Sequence, residues 1–521
     1  MPLLSLAQPT TVSVPIDLVL QTECGARKGE ALASYRQRPL SWCVGTQLMA
    51  AFTDTSALAG RRLYVTFALA PEQAPAGALP FMVAISSFTA NGQPASHIGA
   101  SFQVVQQTLV ASVYVPREAA SAYVIVSSPP YTHGDQSLTI RDVQAHVSTV
   151  TFEPGQMCAP CRPYLDDAMD WVRRQFLFTD RLQLDAMDRA LHVAATGAAA
   201  IGDMDGTMKE LARQLGEASL AAGVMPHGHY QTSAEYAALA AATDPAMAGT
   251  GKLEGPAAAQ APATVQTPAT TQTPPIAQSL PTTQSPAKPL AGIAPFDTAM
   301  LDNQVGLIRL RTFLEADMSA GASYAHALRD AIVALHGQGA RQWILDLRSH
   351  LGGTLAPAVA ALRPLLGKSA VGYVVDAAGQ RQDGWVWGDP ELPVAVAGSY
   401  FTKESPSFDA SDQAVAVLFG PATMSTGEML AIAFHGRPRS RSFGQPSGGA
   451  TTIVSGRRDQ YGNFLGIASG YAADRHGQRM FPQVMPDLLV DQPPAGANAD
   501  DQAPDLALAA ARDWLHQEQQ R

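Results

Sequence analysis

The 521-residue chain has no apolar run of about 18 residues, so no segment is predicted to span a bilayer. Its start lacks a basic region and a sustained apolar stretch, and it is not predicted to be a signal peptide. The net charge is −10, without clusters of Lys and Arg, which argues against a nucleic-acid partner because a phosphate-binding surface needs grouped positive charge. The chain is expected to fold as three or four globular units of about 100 to 200 residues each.

Cysteine is scarce, with four residues that form two sequence pairs, Cys24 with Cys43 and Cys158 with Cys161. The segment "MCAPCRP" has the spacing of a thioredoxin-type redox motif, but an αα pattern follows it instead of a βαβ unit. We therefore predict either a local disulfide or two free thiols at this point. Two cysteines cannot complete a structural zinc site, and no metal or cofactor is expected.

From about residue 40 to 150 the hydrophobic pattern has a period of two, which is the spacing of a strand with one buried face. The clearest alternating set is Leu63, Val65, Phe67 and Leu69. Turn residues separate further strands, so residues 1–155 are predicted to form a β-sandwich, jelly-roll-like in type. Such modules often bind carbohydrate, and a glycan partner is one hypothesis, although no aromatic platform stands out.

The spacing becomes helical after this region, and residues 156–245 are predicted to form a small helical bundle. The bundle ends in a Gly- and Pro-marked loop, "PHGHY", which holds His227 and His229. Residues 246–295 consist mainly of Ala, Pro, Thr, Gln and Ser. Such a composition cannot bury enough apolar surface to order itself, so a disordered linker is predicted.

Residues 296–521 alternate strands with helices, which predicts an α/β domain with a largely parallel sheet. The strand "AVAVLFG" ends in a small-residue turn that opens a helix at Ser425. From the residues alone, Ser425 is either a helix N-cap or a nucleophile. A second turn, Gly352 and Gly353, follows the strand "QWILDLRSH". Its N–H groups can bind a developing negative charge, the alternative being a tight turn with close packing.

Three segments together resemble the C-terminal processing, or tail-specific, peptidases and their tricorn-type and retinoid-binding-protein-like relatives. They are "LDLRSHLGG", "GPATMSTGEMLAIAFHGRPRSRSFGQPSGGATT" and "MPDLLV". The resemblance implies a crotonase/ClpP-like core, a serine peptidase with Ser425 as nucleophile, and a peptide or protein substrate. Only the linker stands where tail-specific peptidases carry a PDZ domain, so the branch without that domain is expected.

The resemblance also bears on the general base. One branch of the family uses a lysine in a Phe-Gly-Lys-Gly loop, but "SFGQPSGG" has Gln445 in or beside that position and no lysine follows Lys403. In another branch the bundle ends in Asp-Gly-His-Ser, and the histidine serves as base. "HGHY" matches that segment at Gly228 and His229, so the resemblance implies His229 as base. His227 and His350 are the alternatives.

The remaining site residues follow from the chemistry of acyl transfer. The oxyanion hole is expected to use backbone N–H groups of Gly352 or Gly353 and of Thr426. Glu428 resembles the acid of the family's serine loop, and the resemblance implies that it either positions this loop or orients a base; no third triad member is identified. His435 lies a helix length from Ser425 and is expected to cap that helix.

Two classes of function stay open at this stage. The first is a serine peptidase that works through a Ser-His acyl-enzyme. The second is a noncatalytic ligand- or glycan-binding protein on the same scaffold. The linker composition, the paired cysteines and the family resemblance predict a periplasmic or secreted location.

Overall fold

The computed structural model describes residues 10–22, 40–41, 45–70, 80–103, 108–128, 137–235, 295–302, 304–314, 318–367, 369–387, 409–491 and 505–520. The chain divides into two compact units, residues 1–239 with 454–469 and residues 240–453 with 470–521. The predicted linker lies outside the described residues except for Pro295, and so do Cys24 and Cys43.

The first unit begins with two antiparallel five-stranded sheets. Their strands are β1 (Thr11–Val14), β2 (Val19–Thr22), β3 (Leu40–Ser41), β4 (Gln47–Phe52), β5 (Arg61–Ala70), β6 (Pro80–Thr89), β7 (Pro94–Gln103), β8 (Thr108–Val115), β9 (Ala119–Ser127) and β10 (Ser137–Ser148). One sheet has the order β1-β10-β5-β8, with β3 paired to β10, and the other has the order β2-β4-β9-β6-β7. Alternate residues such as Val65 on β5 and Ile85 on β6 are fully buried in one core cluster to which both sheets contribute, as the period of two predicts.

The helices of the first unit lie where the helical spacing predicts them. They are α1 (Cys161–Gln175), α2 (Leu184–Ala194) and α3 (Asp205–Ala221), with short 3₁₀ turns at Thr179–Arg181 and Ile201–Met204. A disulfide joins Cys158 to Cys161 at the start of α1, and both residues are buried. Of the two states predicted for this pair, the structure therefore has the disulfide. The helices are followed by strand β11 (Gly228–Gln231).

The predicted boundary between residues 155 and 156 does not separate two compact units, because the helices share buried polar contacts with the sheets. Arg62 on β5 is fully buried, and its guanidinium donates to the carbonyl oxygens of Ala194, Thr196 and Asp203. Glu210 on α3 accepts a hydrogen bond from the Gly99 N–H of β7 at 2.7 Å. A buried charge needs such partners, and here the carbonyl groups at helix ends supply them.

The second unit is built on a six-stranded sheet with the order β12-β13-β14-β17-β18-β21. The remaining strands of the chain are β12 (Phe296–Met300), β13 (Val305–Leu310), β14 (Gln342–Asp346), β15 (Gly372–Val375), β16 (Arg381–Trp387), β17 (Ala414–Phe419), β18 (Ser440–Gly444), β19 (Thr452–Arg458), β20 (Phe464–Asp474) and β21 (Leu488–Leu489). From β13 onward the neighbours in this sheet are parallel, as predicted, and only the edge strand β12 is antiparallel.

Helices cover both faces of this sheet. They are α4 (Met318–Gly337), α5 (Ala356–Leu366), α6 (Thr426–Phe434) and α7 (Leu506–Gln520). Leu345 and Val417 belong to the core with α4, α5 and α6, whereas their strand neighbours Ile344 and Ala416 pack with α7. Successive strand residues point to opposite faces, so each parallel strand is buried on both sides. The segment after each of β14, β17 and β18 starts at the carboxyl edge of the sheet, where α/β proteins bind ligands.

The predicted loop "PHGHY" is in part a strand, which corrects the sequence interpretation. Residues Gly228–Gln231 pair antiparallel with residues 464–467 of β20 inside the first unit. Gly228 lies so close to α3 that an added Cβ would come within 2.0 Å of the Ala212 carbonyl oxygen. Residues 454–469 were predicted as part of the C-terminal core, yet they belong to the first unit because of this pairing.

Within the described residues, we find no helix whose length and apolarity would let it cross a membrane.

Candidate active site

Ser425 lies where β17 turns sharply into α6. Its backbone has φ 52° and ψ −118°, and among the described residues only Arg439 is another non-glycine residue with positive φ. A non-glycine residue holds such a conformation only when its surroundings impose it. Ser425 occupies the N-cap position of α6 in a capping box with Glu428, whose carboxylate accepts the Ser425 N–H at 2.8 Å. The side chain is half-buried at the start of this helix.

Glu428 holds this turn in place from inside the second unit. Its fully buried carboxylate accepts four hydrogen bonds. The donors are the Ser425 N–H at 2.8 Å, the Ser447 hydroxyl at 2.5 Å, the Gly449 N–H at 2.9 Å and the Ala450 N–H at 2.8 Å. Burial raises the pKa of Glu428 and the hydrogen bonds oppose that rise. Four donors around two oxygens fit the ionised carboxylate.

The loop after β18 links Glu428 by hydrogen bonds to the segment around Val484. The Ser447 hydroxyl, a donor to Glu428, accepts the Val484 N–H at 2.8 Å. Asp487 in the "MPDLLV" segment accepts both the N–H and the hydroxyl of Ser442 at 2.8 Å. Sequence analysis missed Ser447, and the only signal for it was a polar residue inside the Gly-x-Pro-x-x-Gly loop.

The glycine turn after β14 lies against the serine turn. Gly352 and Gly353 have φ values of +125° and +121°. An added Cβ on Gly352 would lie 3.1 Å from the Ser425 Cβ, and one on Gly353 would lie 2.1 Å from the Phe313 carbonyl oxygen. Both the backbone angles and the close approaches therefore require glycine here.

The three predicted oxyanion donors differ in availability. The Gly352 N–H donates to the His350 Nδ1 at 3.3 Å. In the part of the chain that the structure describes, neither the Gly353 N–H nor the Thr426 N–H has a hydrogen-bond acceptor. Of the three predicted donors, only the Gly352 N–H is therefore engaged within the described residues.

His350 is buried beneath the first turn of α6, with 2% of its surface exposed. Burial lowers its pKa to about 4, so the ring is neutral at pH 7. An added Cβ on Gly427 would lie 3.1 Å from the His350 Nδ1, which shows how tightly the ring is packed. Because Nδ1 already accepts the Gly352 N–H, the geometry favours support of the glycine turn over the role of base.

His227 directly precedes β11 and His229 lies on it, both in the first unit. Burial lowers the pKa of His229 to about 4, and burial followed by the neighbouring His229 lowers that of His227 to about 3. Both imidazoles are therefore neutral at pH 7, the state that a general base needs. His227 is 3% exposed, and neither of its ring nitrogens has a partner among the described residues.

Two further predicted residues have structural partners. The Gln445 side chain donates to the Asp491 carboxylate at 3.3 Å, and its N–H donates to the Phe419 carbonyl at 3.2 Å. His435 is the C-cap residue of α6, which confirms the predicted cap, and its Nδ1 lies 2.8 Å from the Asp474 carboxylate.

Comparison with known proteins matches residues 304–490 to the model of peptidase family S41. This range contains the serine turn, the glycine turn and the buried Glu428. Residues 304–490 form a peptidase family S41 domain. The family expected from the three motifs is thereby confirmed for this part of the chain, while the absence of a PDZ domain stays a prediction.

Proteins similar to this chain include the nisin-resistance protein of Lactococcus lactis, which is 28% identical over 34% of this chain and 54% of its own length. The carboxyl-terminal-processing protease of Synechocystis sp. is 29% identical over 38% of this chain and 41% of its own length. The chain thus spans about half the length of the curated relatives that it matches. A lipoprotein structure from Streptococcus agalactiae is 16% identical, covers 69% of this chain and 96% of its own, and has a TM-score of 0.45.

Proposed function

We propose that the protein is a serine peptidase that forms an acyl-enzyme on Ser425. The observation that carries the proposal is the geometry inside the S41 domain. A serine with φ 52° presents its hydroxyl at a strand-to-helix turn, beside a glycine turn with a free N–H group. Exposing a nucleophile on a strained turn next to backbone donors is a recurring arrangement for acyl transfer.

In the proposed reaction, the Ser425 Oγ adds to the carbonyl carbon of the substrate while His229 removes the hydroxyl proton. The carbonyl oxygen becomes an oxyanion and accepts hydrogen bonds from the Gly353 and Thr426 N–H groups. Collapse of this intermediate breaks the C–N bond, and the leaving amine takes the proton back from the histidine. Water then attacks the acyl-enzyme with the same histidine as base, releasing the acid and restoring Ser425.

The other predicted residues are assigned supporting roles in this proposal. Glu428 fixes the Ser425 backbone and the loop after β18, and His350 orients the glycine turn through the Gly352 N–H. His227 is a less favoured candidate for the base. Gln445 lies in or beside the family's lysine position and its side chain donates to Asp491, so no role in proton transfer is assigned to it.

The finer fold assignments belong to the same proposal. Two antiparallel sheets that share one core support a β-sandwich for residues 1–155. The parallel sheet covered on both faces supports a crotonase/ClpP-like core for residues 296–521. The names of the curated relatives support peptide or protein substrates, and the Cys158–Cys161 disulfide supports a periplasmic or secreted location. A glycan partner for the two sheets stays a prediction.

The test is labelling with a fluorophosphonate, which reacts covalently with an activated serine hydroxyl. The wild-type chain is expected to be labelled, and Ser425→Ala is expected to show no labelling while keeping the wild-type circular dichroism spectrum. A folded wild-type chain that resists the probe would favour the noncatalytic binding protein instead.

Gly353→Ala tests the proposed oxyanion hole. The new Cβ would collide with the Phe313 carbonyl and displace the Gly353 N–H, so the labelling rate is expected to fall by about 10²-fold or more. Gly379→Ala is the matched control, because Gly379 also has positive φ, +80°, but has no atom within 4 Å of an added Cβ. Rates that fall equally in both variants would assign the loss to backbone strain and not to the oxyanion hole.

A further inference from the structure

The glycine turn beside Ser425 has four successive backbone N–H groups, in residues 351–354. Three of them donate to acceptors inside the second unit. The Leu351 N–H donates to the Thr312 hydroxyl at 3.2 Å, the Gly352 N–H to the His350 Nδ1 at 3.3 Å and the Thr354 N–H to the Phe313 carbonyl at 2.8 Å. Within the described residues, the Gly353 N–H is the one of the four that has no acceptor.

The segment that follows β13 supplies two of these three acceptors, the Thr312 hydroxyl and the Phe313 carbonyl. Residue 313 also forms a parallel bridge with Gly353. The two backbones are in close contact there, because a Cβ added to Gly353 would lie 2.1 Å from the Phe313 carbonyl oxygen. The peptide groups on both sides of Gly353 are therefore held by residues 312 and 313.

Helix α4 fixes the side chain of Phe313. The Phe313 ring stacks on the Tyr324 ring with the centroids 4.1 Å apart and an angle of 11° between the planes. Tyr324 is 5% exposed, and the Phe296 ring of β12 packs edge-on against it with a centroid distance of 5.8 Å. The Tyr324 hydroxyl is buried without a hydrogen-bond partner in the described part of the chain. Tyr324 thus contacts Phe313 through the face of its ring and not through its hydroxyl.

We propose that Thr312, Phe313 and Tyr324 are positioning residues that set the direction of the Gly353 N–H. A donor stabilises an oxyanion most when it already points at the place where the negative charge develops, because it then needs no reorganisation during the reaction. The flanking hydrogen bonds fix the turn around Gly353, and the ring stack fixes the Phe313 backbone that accepts one of them. This role rests on the proposed function, whereas the hydrogen bonds and the stack do not.

Hydrogen exchange of the Leu351 amide tests the contact with Thr312 without using activity. Thr312→Val keeps the shape of the side chain but removes the hydroxyl acceptor, so the Leu351 amide of the full chain is expected to exchange about fivefold faster. Thr312→Ser keeps the acceptor and is expected to retain the wild-type exchange rate. Equal exchange in all three chains would show that Thr312 does not hold the turn, which overturns the inference.

Two substitutions of Tyr324 test the ring stack through the fluorophosphonate labelling rate of Ser425. Tyr324→Phe keeps the stack and is expected to label at the wild-type rate, whereas Tyr324→Leu loses the stack and is expected to label about tenfold more slowly. Leu328→Ala is the control for a general loss of stability, because Leu328 is fully buried on the same helix. It is expected to lower the urea midpoint and to change labelling less than twofold. Equal slowing in Leu328→Ala and Tyr324→Leu contradicts a specific role of the stack.

The kinetic constants for p-nitrophenyl acetate separate positioning from substrate binding. Thr312→Val and Tyr324→Leu are each expected to lower kcat about tenfold with KM close to the wild-type value. The physical reason is that the oxyanion develops in the transition state and is absent from the bound ester. A raised KM with unchanged kcat would show that these residues act on binding, which contradicts the positioning role.

The outcomes separate this inference from the proposed function. Labelling and turnover at the wild-type rate in both Thr312→Val and Tyr324→Leu contradict the positioning role and leave the peptidase proposal standing. A folded wild-type chain that is not labelled overturns the proposed function and the positioning role together, and the exchange of the Leu351 amide still decides whether Thr312 holds the turn.

Discussion

His229→Ala is expected to lower kcat for an activated ester by about 10³-fold or more, to a level comparable with Ser425→Ala. Removing either member of a nucleophile–base pair costs nearly the whole effect of the pair, because the two act as one catalytic unit. His229 must be neutral to accept the proton, so the wild-type rate is expected to fall as the pH drops through about 4.

The matched controls are His227→Ala and His350→Ala, which replace the two other candidate bases. His227 is buried without a partner for its ring among the described residues, and the His350 Nδ1 already accepts the Gly352 N–H. Both variants are expected to cost much less than His229→Ala. If His350→Ala abolishes turnover while His229→Ala stays near the wild-type rate, the base lies inside the second unit and the assignment of His229 is wrong.

Glu428→Gln is expected to slow fluorophosphonate labelling by about 10²-fold and to lower the free energy of unfolding by about 2 to 4 kcal/mol. The substitution keeps the size of the side chain, but it turns one of the two acceptor oxygens into a donor. Each oxygen now accepts two hydrogen bonds, so two of the four donors would face an NH₂ group in a fully buried site.

Glu153→Gln is a suitable control because the Glu153 side chain is 71% exposed and pairs with the exposed Arg117 at the surface. Its effect on unfolding is expected to stay within about 0.5 kcal/mol. Urea denaturation and labelling rates measured on the same preparations separate a general loss of stability from a specific loss of the Ser425 geometry. Wild-type labelling by a Glu428→Gln chain would show that the carboxylate does not hold the nucleophile.

Local patterns in the sequence predicted much of the architecture. Val65 and Phe67 alternate with half-buried neighbours because a strand with one buried face has a period of two. The continuous apolar run "AVAVLF" is a strand buried on both faces, as expected for a parallel sheet. Ser425 was placed at the start of a helix because a strand, a small-residue turn and a helical pattern follow one another there.

Features that depend on distant partners were not predictable in this way. The Gly352 and Gly353 N–H groups are equivalent in the sequence, and only the placement of the His350 ring makes one of them an engaged donor. The local sequence around Arg62 does not indicate that its guanidinium is buried. The carbonyl oxygens that accept its hydrogen bonds lie at the end of a helix more than 130 residues away. The strand formed by "GHYQ" depends on a partner in residues 464–467, which no local pattern reveals.

The central claim is that Ser425 is the nucleophile, and it is tested most directly by mapping the site of fluorophosphonate attachment in the wild-type chain. No lysine follows Lys403, and Arg437 precedes a proline, so trypsin is expected to release Ser425 in a peptide spanning residues 404–439. Fragmentation of that peptide is predicted to place the phosphonyl group on Ser425 and on no other hydroxyl. A phosphonyl group on another serine of a folded, labelled chain would contradict the account.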